Sequence, residues 1–152
     1  MSEPRYTAEE ARNLELVRDW ARRWNSPELL PSFVEHCYAT SCEVFIPLEK
    51  THWVKPGGTK EHFKRIELEA AKLYKKRDMQ IIRALAHDNT VAVEAKVTWH
   101  TKSGKTFESW FAAFLTFDEN GKIKTDHTFQ PEIKGELPAG LKTALEQIAA
   151  DR

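Results

Sequence analysis

The chain lacks net charge: Lys+Arg and Asp+Glu stand at 23 each in 152 residues. A balanced chain sets up no long-range field toward nucleic acid or an anionic membrane, so neither is expected as a partner. Cysteine is scarce. Cys37 and Cys42 sit five positions apart, which is not a metal-clip spacing, and a disulfide is not expected without a secretion signal. Met1-Ser-Glu-Pro-Arg-Tyr-Thr-Ala-Glu-Glu10 has no apolar core of the signal-peptide kind, and no apolar run approaches membrane-spanning length. A cytoplasmic location is the expectation. The chain also has no glycine-rich phosphate loop, no nucleophile elbow and no pair with metal-site spacing, so neither a cofactor nor a metal is expected.

What the chain does have is aromatic residues: five Trp, eight Phe and three Tyr. They suit an ordinary packed core and would equally line an internal cavity. The length and the 41% hydrophobic content fit one globular domain spanning residues 1–152.

Thr7-Ala-Glu-Glu10 has the form of a capping box. Leu14, Val17, Trp20, Ala21 and Trp24 follow at helical spacing, which predicts a first helix to about Asn25. Ser26 and Pro27 predict the N-cap and first position of a second helix that ends near Thr40, with Leu29, Leu30, Phe33, Val34 and Cys37 on one side. Cys42 to Leu48 reads as a short strand. Residues 49 to 59 read as a loop broken at Pro56-Gly57-Gly58. A third helix is predicted from Lys60, with Phe63, Ile66, Ala70 and Leu73 as its apolar stripe and Lys64, Lys72, Lys75, Lys76 and Arg77 as a solvated basic face. Gln80 to Leu85 predicts a strand.

Three more antiparallel strands follow. They are Val91 to Trp99, Phe107 to Phe117 and Lys122 to Gln130, joined by Lys-Ser-Gly-Lys and Asp118-Glu-Asn-Gly121 turns. A short amphipathic helix is predicted over Leu141 to Ala150. Helices segregated to one face of a curved antiparallel sheet make an α+β domain, here a cone wrapped by the N-terminal helices around an internal cavity.

Tyr38-Ala-Thr-Ser-Cys-Glu-Val-Phe-Ile-Pro47 resembles the helix-to-strand junction of the nuclear-transport-factor-2-like superfamily. Phe117-Asp-Glu-Asn-Gly-Lys-Ile-Lys124 resembles its final hairpin. The resemblance covers roughly Ala8 to Ile133. The superfamily includes SnoaL-like polyketide cyclases, ketosteroid isomerases, limonene epoxide hydrolases, scytalone dehydratases and lignin-dimer formaldehyde lyases, so it implies the fold more than the chemistry. The isomerase's three polar catalytic positions fall on Trp20, Ile46 and Ala113 and are lost. The epoxide hydrolase's Arg and Asp fall on Ala95 and Val97, while its second Asp falls on Asp126 and is kept.

The same comparison implies that Ala95, Val97, Trp99, Phe111, Ala113 and Asp126 face the cavity. For the first strand it leaves two readings. The hydrolase comparison turns Glu43 and Phe45 inward, the isomerase comparison turns Ile46 inward, and Glu43 is preferred. Asp126 is then the leading acid or base, because a carboxylate among apolar walls has a raised pKa. His127 alternates outward. His52, in the loop after the first strand, is a candidate base, and Glu43 is a third candidate catalytic group. Trp20, Trp24, Tyr38, Phe45, Trp53, Phe63, Trp99 and Ala113 are the expected substrate-contacting residues.

The expected function is cofactor-independent proton-transfer chemistry (lyase, isomerase, cyclase or hydratase) on a hydrophobic, aromatic or polycyclic small molecule. The alternative is a non-catalytic ligand-binding or dimeric assembly module. Trp110, Ala112 and Phe114 give the long strand a second apolar face, which predicts a two-fold homodimer packed sheet to sheet.

Overall fold

The computed structural model describes residues 5–46, 51–54 and 58–130, with the backbone alone at 46, 51–54 and 107. In chain order these form α1 (Ala8–Asn25), α2 (Leu30–Cys37), β1 (Tyr38–Ile46), β2 (Thr51–Val54), α3 (Lys60–Ala71), β3 (Tyr74–His87), β4 (Thr90–Thr101), β5 (Thr106–Phe117) and β6 (Ile123–Phe129). The helix expected at Leu141–Ala150 lies outside the described residues.

The capping box opens α1 as its sequence predicts. Glu10 N–H donates to Thr7 Oγ1 at 3.1 Å, and Thr7 N–H donates to Glu10 Oε2 at 2.8 Å. The other Glu10 oxygen accepts the Asp88 N–H at 3.0 Å, so one carboxylate ties the helix start to the β3–β4 turn. A cap of this kind is worth about 1 kcal/mol. The buried stripe of Leu14, Val17, Trp20, Ala21 and Trp24 matters more. Each Trp removes on the order of 150–250 Å² from water, roughly 4–6 kcal/mol gross before conformational entropy is subtracted.

Three local expectations change. Ser26 does not cap α2. Its Oγ accepts the Leu29 N–H at 3.3 Å within a separate turn, and the helix starts later, with Pro31 in its first turn. The helix also ends earlier, at Cys37, because Tyr38 already has extended backbone while its N–H still donates to the Val34 carbonyl. β1 therefore begins at Tyr38 rather than Cys42, and residues 51–54 pair with it as β2 instead of forming loop throughout. Finally, α3 stops at Ala71. The stretch expected to continue its basic face belongs to β3, where Lys76 pairs with His100 and Arg77 with Trp99. Ladder pairing along β4 overrides the helix propensity of Lys-Leu-Tyr-Lys-Lys-Arg.

The six strands form one sheet in the order β2-β1-β6-β5-β4-β3. It is mixed rather than purely antiparallel, because β1 and β6 run parallel. Their connection passes through α3 and the β3–β5 meander, long enough for the crossover that a parallel pair requires. Side chains alternate as a half-covered sheet demands. Val91, Val93, Ala95 and Val97 of β4 are buried, as are Ser109, Phe111, Ala113, Leu115 and Phe117 of β5, under the helices. Trp110, Phe114 and Phe129 on the opposite face are 45, 48 and 47% exposed. The β5–β6 turn uses Gly121 at φ +72°, where an added Cβ would also meet Leu16 Cδ1 at 3.1 Å.

β3 is an edge strand, and Asn25 at the end of α1 covers part of that edge. Its Oδ1 accepts the Met79 N–H at 2.6 Å, and its Nδ2 donates to the Met79 carbonyl at 2.9 Å. The side chain thus supplies the two bonds a neighbouring strand would make. Asn25→Ala leaves both backbone groups open and should cost about 1–3 kcal/mol in urea unfolding. A loss under about 0.5 kcal/mol, the size of an ordinary surface change, would mean the clamp carries no weight.

Candidate functional site

Asp126 lies in the middle of β6, beside Val44 of β1 and Leu115 of β5, both fully buried. Its inward direction follows from that register, and it is itself 2% exposed. A carboxylate in such surroundings needs donors, and two hydroxyls supply them. Tyr38 donates through Oη to Oδ2 at 2.6 Å, and Thr128 donates through Oγ1 to Oδ1 at 2.7 Å. Trp20 Nε1–H donates to the Tyr38 oxygen at 3.1 Å. The result is a directed chain from α1, through the α2–β1 junction, to the centre of the sheet.

Rings hold this chain in place. Tyr38 meets Phe63 edge-on at 5.0 Å and Phe33 at 5.7 Å, and Phe33 lies 6.5 Å from Trp20. Burial pushes the Asp126 carboxyl up from its ordinary value. The Tyr38 and Thr128 hydrogen bonds oppose that rise, Glu67 adds to it, and His127 works against it. Burial, then the adjacent Asp126, push the Tyr38 phenol well above its usual range, so it remains a neutral donor.

A second polar cluster occupies the same side of the sheet. Arg77 of β3 and Glu67 of α3 are 6 and 7% exposed, and Arg77 Nη2–H donates to Glu67 Oε2 at 3.1 Å. The guanidinium carbon sits 3.7 Å from the Trp24 ring centroid and 5.8 Å from that of Trp99. Trp24 and Trp99 meet at 82° and 5.4 Å, and Trp99 Nε1–H donates to Ser109 Oγ at 3.0 Å. Removing one partner of such a buried pair typically costs about 3–5 kcal/mol, whereas replacing both with apolar side chains is often close to neutral.

Most of the inward set predicted from sequence is buried on the helix-covered side. Ala95, Val97, Phe111, Ala113, Trp20, Trp24 and Phe63 are buried there, and Trp99 is half-buried against Trp24 and Tyr74. Trp20 and Asp126 are linked through one tyrosine. Glu43 and Phe45 are a correction. Cys42 and Val44 take the inward positions of β1, while Glu43 bonds to His127 on the outer face and Phe45 packs against His127 and Phe129 there. Val44 faces inward with Asp126 because paired residues of parallel strands share a face. His52 is opposite Phe45 in the β1–β2 ladder. The side chains of His52 and Trp53, and that of Ile46, lie outside the described ones.

Thr128 stands two positions from Asp126 on one strand, and alternation puts both on one face. Two partners escaped the sequence reading. Glu67 and Arg77 were hidden because Arg77 closes a basic run that reads as a solvated face. Cys37 and Cys42 are free and buried, and burial pushes their thiols up to about 12 and about 11, so neither is a ready nucleophile. Glu10, His87 and Asp88 bring ligand atoms within 4.8 Å of one another. His87 and Asp88 are exposed, and both Glu10 oxygens are already bonded to backbone N–H groups.

No protein-family model and no curated protein matches the chain. Solved structures do. A SnoaL-like protein from Jannaschia aligns over 97% of this chain and 99% of its own, with a TM-score of 0.71 at 11% identity. A phenazine biosynthesis-related protein from Pseudomonas aeruginosa aligns over 86% and 83%, with a TM-score of 0.68 at 15% identity. A nuclear-transport-factor-2-like protein from Anabaena variabilis aligns over 90% and 98%, with a TM-score of 0.66 at 12% identity. The chain has the nuclear-transport-factor-2-like α+β fold. At these identities the likeness extends to the fold and not to the chemistry.

The raised Asp126 carboxyl has a measurable consequence. A native state that holds this proton more tightly than the unfolded chain has its full contribution below the ordinary value of 3.8, and loses it as pH rises through the raised one. Asp126→Asn has no such titration. The difference in Tm, variant minus wild type, should therefore grow from acid to neutral pH in thermal unfolding. A difference that stays flat or shrinks would show that Asp126 is not held this way.

Proposed function

We propose that this chain is a cofactor-independent enzyme that moves protons on a hydrophobic, aromatic or polycyclic small molecule, as a lyase, isomerase, cyclase or hydratase. The observation that carries this reading is the Asp126 carboxylate, buried in an apolar interior and oriented by Tyr38 and Thr128. Each carboxylate oxygen accepts one hydroxyl and keeps a further lone pair. A pKa raised by burial brings the group toward working pH, where an acid or base is most effective. Tyr38 would act as the positioning residue, because its neutral hydroxyl fixes one carboxylate oxygen. Trp20, Trp24, Phe63 and Trp99 would offer flat apolar surfaces to a ring system.

A thermal-shift screen with aromatic and terpenoid compounds, followed by turnover assays on the hits, tests the proposal. Asp126→Asn should lower turnover by about a hundred- to ten-thousand-fold with the fold intact. Near-wild-type turnover in Asp126→Asn would remove Asp126 as the acid or base, and ligand binding without turnover in the wild type would leave a binding module of the same fold.

A second reading, an assembly role through a second copy of the chain, has its own support in the outer face. Phe45, Phe114, Trp110 and Phe129 form an apolar band there, with Phe114 and Phe129 6.1 Å apart. The charges around it are already paired, Arg83 with Glu94 and Lys96 with Glu108, so the face favours an uncharged, self-complementary partner. It is compatible with catalysis in each subunit. Light scattering at micromolar concentration should give twice the 17.6 kDa chain mass, and Phe114→Glu should give one chain mass. A wild-type monomer would rule this out.

A further inference from the structure

Arg77 is enclosed but its donors are not used up. A shift in the β3–β4 register between Tyr74 and Lys76 brings Tyr74 and Arg77 to the same, helix-covered face of the sheet. Glu67 reaches it from α3, one turn beyond Phe63, which packs on Tyr38. A guanidinium carries five N–H donors in one plane. Among the described residues Arg77 spends one of them, on Glu67. Trp24 lies against the guanidinium, with the ring centroid 3.7 Å from its carbon. The other Arg77 nitrogens are not among the fully buried polar atoms left without a partner, so they stay reachable although the residue is only 6% exposed, and an acceptor that arrives with a ligand can meet them.

The charge balance selects the acceptor. Glu67 already neutralises Arg77, and a second carboxylate would crowd two anions around one cation at a site only 6% exposed. A neutral carbonyl oxygen accepts from the same edge without adding charge. The Trp24 and Trp99 rings beside it favour a flat ring system. We infer that Arg77, held by Glu67 and Trp24, is a binding site for the carbonyl oxygen of a planar aromatic ketone. The inference deepens the small-molecule reading of the same interior and rests on it.

The test measures binding, not turnover. 2-Acetylnaphthalene, 2-ethylnaphthalene and 2-naphthoate are titrated against the full chain by tryptophan fluorescence and calorimetry. The wild type should bind the ketone about tenfold or more tightly than the hydrocarbon, as expected for a hydrogen bond to a charged group, and more tightly than the carboxylate. The double variant Arg77→Met/Glu67→Leu removes the pair without stranding a charge and should bind ketone and hydrocarbon equally. Arg77→Lys keeps a charge opposite Glu67 but not the fork, and should have a reduced preference if the double variant does not fold. A ketone preference without turnover in the wild type would leave this site standing while the proton-transfer reading falls. A wild type that binds no probe, binds ketone and hydrocarbon equally, or binds naphthoate best overturns the inference. So does a preference that survives the double variant.

Discussion

A carboxylate removed from water must be given donors or give up its charge, and the interior of this protein is organised around that constraint at Asp126. One oxygen takes the Tyr38 hydroxyl and the other takes that of Thr128. Each donor comes from a different structural decision. Thr128 lies on the same strand as Asp126, so its position costs no more than the strand itself. Tyr38 stands where α2 passes into β1, and its placement depends on the parallel pairing of β1 with β6. Trp20 then links α1 to the same chain of bonds. Loss of the β1–β6 register would separate Tyr38 from Asp126 and leave a buried charge without its closest donor.

The sheet divides the chemistry by parity. On β4, β5 and β6 one set of alternate residues is aliphatic, aromatic or bonded polar and lies under the helices, while the other set is half-buried or exposed. A one-residue slip would exchange the two sets and put Lys96 and Glu108 into the interior. The same logic separates Asp126 from its neighbour His127, whose imidazole bonds to Glu43 on the outer face. Two titratable residues adjacent in sequence thus belong to different environments, one among core side chains and one among exposed rings and paired charges.

Much of the fold was legible because its signals are local and repeated. The capping box and apolar stripe of α1, the hairpins from Thr90 onward and the burial of Ala95, Val97, Phe111 and Ala113 follow from periods of 3.6 and 2 and from turn residues. The candidate site was legible in part. Asp126 and the nearby Trp20, Trp24, Tyr38 and Phe63 could be named from the resemblance, whereas Glu43 and Phe45 were assigned to the wrong face of β1. Alternation states which residues share a face but not which face is covered. For β1 that was decided by the partner strand, through Val44 beside Asp126.

The sequence by itself determined a neutral, aromatic-rich α+β chain with a meander of alternating strands and an acid at the centre of the last of them. These properties depend on neighbours a few positions apart, so composition and spacing carry them. Tertiary structure alone decided where α3 ended and β3 began, the parallel pairing of β1 with β6, and the meeting of Arg77 with Glu67 and Trp24. A run such as Lys75-Lys76-Arg77 has the same pattern on a solvated helix and on a strand. It becomes a buried cation only when β4 pairs with it and α3 brings a carboxylate across, and no short window of sequence contains that long-range pairing.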